Sequence, residues 1–155
     1  MASMYDMIDR VRDYMDKDDW KYEYVDDKHL IRAGVNLKCK LQSVRMFISF
    51  NENGYTVIAV PPMKADEASR TNVMEYITRA NYGLRNGNFE MDVEDGEIRY
   101  KVYVNAKGMN DISDDIIDDS IKLPALMIDR YGDGMAALMF GFSDPATEIQ
   151  KVENN

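Results

Sequence analysis

The sequence predicts an α+β fold, an antiparallel β-sheet with helices packed on it. Three observations carry this reading. Several segments alternate apolar and polar residues with the period of a half-buried strand. The strand segments follow one another through short turns at Asn53-Gly54 and Asp95-Gly96. Such turns join antiparallel neighbours, so a doubly wound parallel sheet is excluded. Segments with helical spacing stand before, between and after the strands. The expected order is helix, three or four strands, helix, two strands, helix.

Ser3 can cap the first helix, with Asp6 three residues on. Met4, Met7, Ile8, Val11 and Met15 share one face of it, and Asp16, Asp18 and Asp19 end it. Trp20, Tyr22 and Tyr24 alternate with polar residues in a short extended segment. Ile31, Ala33, Val35 and Leu37 mark a strand, and Val44, Met46, Ile48 and Phe50 the next. A two-residue turn at Lys38-Cys39 would set Ala33 opposite Val44. A turn at Asn53-Gly54 would set Phe50 opposite Val57 and Ile48 opposite Ala59. Pro61-Pro62 ends that strand, because proline cannot donate to a ladder.

A long helix is expected from near Asp66 to Arg85, with Val73, Ile77, Ala80 and Leu84 as its buried stripe. The segment Phe89 to Val104 reads as a hairpin. A two-residue Asp95-Gly96 turn would pair Val93 with Ile98, Met91 with Tyr100 and Phe89 with Val102 on the core face. It would pair Asp92 with Arg99 and Glu90 with Lys101 on the other. The last major helix runs from Ser113 to about Phe140. Pro124, Gly132 and Gly134 inside it predict a kink or a break. Ser143-Asp144-Pro145 starts a short further helix, with proline at its first position.

The 155 residues, 45% hydrophobic and 30% charged, suit one domain spanning 1–155. A net charge of −9 argues against nucleic acid and against an anionic membrane surface as partners. Met1 to Lys17 is charged throughout and lacks a signal-peptide core, and Cys39 is the only cysteine, so the cytoplasm is the expected location. Twelve methionines fit core filling or an adaptable binding surface.

No constellation for catalysis stands out. His29 is the only histidine and reads as a solvated loop residue. Cys39 lies between Lys38 and Lys40, which would lower its pKa and favour a reactive thiol; an ordinary turn thiol is the plainer reading. Asp114, Asp115, Asp118 and Asp119 lack calcium-loop spacing and suit the positive end of a helix. No glycine loop has nucleotide-binding spacing. Neither a metal nor a cofactor is expected.

The run Thr78-Arg79-Ala80-Asn81-Tyr82-Gly83-Leu84-Arg85-Asn86-Gly87-Asn88-Phe89-Glu90, continued by Asp95-Gly96-Glu97-Ile98-Arg99-Tyr100-Lys101, resembles the YbjN-like family. Those are small bacterial proteins described as sensory transduction regulators. Ala33-Gly34-Val35-Asn36-Leu37, Asn53-Gly54-Tyr55-Thr56-Val57 and Asp129-Arg130-Tyr131 are similar to it too, so the resemblance spans roughly Trp20 to Pro145. It implies a fold like the type III secretion chaperones and no catalytic residues. Chaperones of that fold commonly dimerise and hold an extended client, which is an analogy of fold alone. At Lys38-Cys39 the chain departs from the Asp-Gly often found in related sequences, which leaves the turn there open.

Four residues are candidates for partner binding: Phe47, Ile58, Asn81 and Tyr82. Phe47 and Ile58 alternate onto the face opposite the core. They form an apolar patch if helices cover one face only, and are hidden if a helix covers the other. Asn81 and Tyr82 sit at a helix end, either in a recognition groove between helix and sheet or in plain packing, with Tyr82 against the sheet and Asn81 satisfying backbone groups. The expected function is a non-enzymatic, protein-binding, chaperone-like or regulatory adaptor, with another protein or a second copy as partner. The alternative is a sensory regulator with a small ligand held between helix and sheet.

Overall fold

The computed structural model describes residues 3–154. Helix α1 (Met4–Lys17) is followed by β1 (Tyr22–Val25), a 3-10 turn over Asp26–Lys28, β2 (Leu30–Asn36), β3 (Ser43–Asn51) and β4 (Gly54–Val60). Helix α2 (Arg70–Asn81), β5 (Asn88–Met91), β6 (Ile98–Asn105), α3 (Asp114–Met139) and α4 (Pro145–Glu153) come next. The six strands form one sheet in the order β1-β2-β3-β4-β6-β5, with every neighbouring pair antiparallel. The α+β class and the element order expected from the sequence are found.

Capping explains where three helices begin. Ser3 Oγ accepts from the Asp6 amide, Ser113 Oγ from Ile116, and Asp144 from Thr147, each using an amide that the helix leaves unpaired. Helix α2 is shorter than its sequence pattern suggests. Asp66 Oδ1 accepts from the Ser69 amide in a preceding turn, and Gly83 at φ +88° follows the helix end.

On one face of the sheet only Gly54 and Val60 of β4 are buried; the other face carries the core. Val44, Met46, Ile48 and Phe50 of β3 point into it beside Tyr55, Val57 and Ala59 of β4 and Ile98, Tyr100, Val102 and Val104 of β6. Helix α1 and the start of α3 cover one end of this face through Met7, Ile8, Val11, Met15, Ile117 and Ile121. Helix α2, the rest of α3 and α4 cover the other end. All four helices therefore pack on the same side.

Three expected registers are wrong, each by two residues. Ala33 pairs with Met46, Ile48 with Val57, and Phe89 with Tyr100. A shift of two leaves every strand residue on its expected face, and only Val93, outside the strands, is lost from the core. The turns explain the shifts. The β2–β3 connection is a loop closed by Leu37 N–H to Gln42 O at 2.7 Å. The β3–β4 turn centres on Glu52-Asn53, because Gly54 already pairs with Asn51 and lies too close to the Val104 carbonyl for any side chain. The β5–β6 tip widens into a loop in which Gly96 N–H donates to Asp92 O at 2.7 Å. That loop is held from outside: Ala65 N–H donates to Gly96 O, Arg70 to Val93 O, and Lys64 pairs with Asp95. Val93 is consequently exposed, not in the core.

Helix α3 is one continuous element of 26 residues, not a kinked or split pair. Pro124 removes a single intrahelical bond, and the helix carries on because Ile117, Ile121, Ala125 and Ile128 are buried against the sheet on both sides of it. The glycines are sites of close approach. A side chain at Gly134 would strike the Tyr76 ring, and one at Gly132 would strike Cys39. Asp129 Oδ1 accepts from the Lys38 and Cys39 amides, both at 2.9 Å, and Asp133 Oδ1 from Lys40 at 2.8 Å. The β2–β3 loop is thus clamped onto α3.

The two sheet edges differ. On β5, Asn81 accepts from Phe89 N–H at 2.7 Å and donates to Phe89 O at 3.1 Å. Its carboxamide occupies the place of a neighbouring strand's peptide group. On β1, the backbone groups turned away from β2 have no partner among the described residues.

Candidate functional site

The face of the sheet opposite the helices is the candidate site. The pleat sends Arg32, Arg45, Phe47, Ser49, Thr56, Ile58, Arg99, Lys101 and Tyr103 to it. One rung crosses the whole sheet: Glu23, Arg32, Phe47, Ile58, Lys101 and Asn88 are successive partners. Phe47 and Ile58 are thus direct neighbours at its centre. Both are half-buried and belong to neither core cluster. Leu30 lies half-buried on the adjacent rung, whose far end is Tyr103, 47% exposed.

Cations surround this apolar centre. The Arg45 guanidinium lies 5.7 Å from the Phe47 ring centroid. It has no carboxylate partner among the described residues. Arg32 pairs with Glu23 at 2.9 Å. Glu90 takes both Arg99, at 2.9 Å, and Lys101, at 2.8 Å. The expected Asp92–Arg99 pair does not form, because the register shift hands Arg99 to Glu90. Partial burial raises the Glu90 carboxyl, but the hydrogen bonds from Lys101 and Arg99 outweigh it and leave the group below the usual carboxylate range. The strand residues on this face carry four cations and two carboxylates, on a chain whose net charge is −9. The helical side is acidic: α3 alone has six aspartates against Lys122 and Arg130.

The four sequence candidates do not meet. Phe47 and Ile58 lie together on the open face. Asn81 is committed to the Phe89 backbone at the β5 edge. Tyr82 is 92% exposed and does not lie against the sheet. Two further exposed aromatics escaped the sequence reading: Phe140 and Phe142 stack at 5.9 Å where α3 gives way to α4. Arg45 escaped it too, although it has the strand parity of Phe47, and Arg99 and Lys101, read as lying opposite the core of their hairpin, were not linked to the Phe47–Ile58 patch.

Aromatic side chains pack the space between α2, α3 and the β5–β6 end of the sheet. Phe89 meets Tyr100 edge-on at 4.8 Å and Tyr131 at 5.4 Å, and Tyr131 meets Tyr76 at 6.0 Å. Tyr76 donates to the Tyr131 carbonyl at 2.8 Å. Burial pushes the Tyr131 phenol up to about 12, with Glu153 adding to the effect.

Burial and the nearby Asp129 push the Cys39 thiol up, against the lowering expected from Lys38 and Lys40. His29 is half-buried with its ring edge-on to Tyr5 at 5.5 Å, not solvated, and its Nδ1 has no hydrogen-bond partner among the described residues. Arg10 bridges Asp111 and Asp114 at 3.0 and 2.6 Å, and Lys122 holds Asp118 at 2.6 Å. Among the described residues no three His, Cys, Asp or Glu side chains converge on a metal position, and no helix is long and apolar enough to cross a membrane.

A sequence model of the YbjN family, whose description reads "Putative bacterial sensory transduction regulator", matches residues 7–137. The chain belongs to the YbjN family. The matched span runs from α1 to near the end of α3, so it takes in every strand of this YbjN chain and the whole open face. No curated protein matches the chain.

Proposed function

We propose that this YbjN chain is a non-enzymatic regulatory module of the bacterial cytoplasm that docks a protein partner on the open face of its sheet. One observation supports the reading above the others. Six strands present a continuous face without a helix, centred on the Phe47–Ile58 pair. Scattered apolar residues on a surface need no explanation, but a side-by-side pair on an uncovered face does. The regulatory part of the proposal follows the family's description. A small-ligand pocket between helix and sheet has no comparable support, since aromatic side chains pack that space at the β5–β6 end of the sheet.

The test compares the wild type with Phe47→Asp. Both proteins are immobilised, exposed to native cytoplasm and their bound proteins identified, and the solution mass of each is measured. A partner captured by the wild type and lost by a normally folded Phe47→Asp supports the docking face. A wild-type dimer that becomes a monomer identifies the partner as a second copy. Identical captures and identical masses for the two proteins overturn the reading.

A further inference from the structure

Resting on that reading, we infer the chemistry of the partner: a protein segment that sets carboxylates around an apolar side chain. The open face has an apolar middle and a cationic surround. Among the described residues Arg45 has no carboxylate partner, and Arg32 and Lys101, on the rung of Phe47 and Ile58, each pair with one. The middle of the face therefore holds an excess of positive charge, while Asp92 and Glu97 lie beside Arg99 at its β5–β6 end, on a protein that is acidic elsewhere. Complementary charge steers an acidic segment toward this side, and the same field repels it from the aspartate-rich helical side. A basic segment would meet the opposite pattern.

The same arrangement disfavours a second copy as the occupant. Two copies stacked face to face are related by a two-fold axis. With the axis along the strands, Phe47 faces Ile58 of the other copy, and Arg32 faces its Lys101. With the axis along the rung, Arg32 faces Arg32. Either way, cations meet at the rim of the apolar patch, where like charges are costly.

The experiment titrates uniformly nitrogen-15-labelled protein with two synthetic peptides, identical except that one carries aspartate and the other lysine on both sides of a central leucine. The aspartate peptide should shift the amides of β2, β3 and β4, more weakly as salt is raised. Its affinity should fall about tenfold in Arg45→Glu, a variant outside the core. The inference is overturned if the lysine peptide binds as tightly, if Arg45→Glu leaves the affinity unchanged, if the shifts map to another surface, or if the aspartate peptide does not bind at about 1 mM. The two proposals fail separately. If Phe47→Asp loses a captured partner while the peptide results go the wrong way, docking stands and the partner chemistry falls. If Phe47→Asp loses nothing, the docking face itself falls.

Discussion

The two faces of one sheet are built from the same strands and differ in almost everything else. Along β3, Met46 and Ile48 are fully buried, while Arg45, Phe47 and Ser49 between them are not. The inward residues of all six strands include no charged side chain; the outward ones include six. A sheet buried on one side is an ordinary solution for antiparallel strands. The instructive part is that the uncovered side is not simply polar. Thr56 and Ser49 suit solvent, but Phe47, Ile58, Leu30 and Tyr103 do not. The inner face is accounted for by folding alone, and the outer face is the one we propose for docking.

The sharpest way to break this contrast is to truncate adjacent residues of β3. Ile48→Ala should destabilise the protein by about 2–5 kcal/mol in chemical denaturation, as large-to-small changes in a packed core do. Phe47→Ala should cost less, about 1–2 kcal/mol, because its ring is only partly buried and belongs to neither core cluster. Equal losses at the two positions would mean that the outer face is packed after all. A smaller effect tests how firmly the helical layer is tied to the sheet. Asn81→Ala leaves the Phe89 N–H without its partner, while Phe89 O keeps the Asn88 side chain, and should cost about 1–3 kcal/mol. Hydrogen exchange at the Phe89 amide should then rise selectively.

The smallest effect lies on the open face itself. Glu90→Gln should lose about 0.2–1 kcal/mol at neutral pH, since its ion pairs are partly exposed. The folded-state carboxyl lies below its unfolded value of about 4.3, so its contribution is complete above that pH and disappears as the pH falls through the folded value. The stability difference between wild type and Glu90→Gln should therefore close in acid. A difference that persists at pH 2 would show that Glu90 acts through packing and not through charge.

Faces were legible in the sequence and registers were not. Alternation along Val44, Met46, Ile48 and Phe50 assigns each side chain to a side whatever the strand pairs with. The register depends on how the turns close, and each turn is closed or constrained by residues distant in sequence: Asp129 and Asp133 for the β2–β3 loop, Val104 beside Gly54, Ala65 and Arg70 for the β5–β6 tip. The unbroken course of α3 was illegible for the same reason. Gly132 and Gly134 look like helix breakers until Cys39 and Tyr76 are seen against them. Phe47 and Ile58 could be placed together from parity. Their cationic surround needed the order of strands, since Arg99 and Lys101 reach the patch only because β6 lies beside β4.

Asn81 has a consequence for assembly. Sheets grow into fibres by adding strands at both ends, as beads join a string only if each has two hooks. In this chain the carboxamide of Asn81 takes up the outward N–H and C=O of Phe89 at the β5 edge, whereas no described side chain does so along β1. The two ends of the sheet are therefore unequal hooks, and β1 is the more open of them. Replacing Asn81 would make the ends alike.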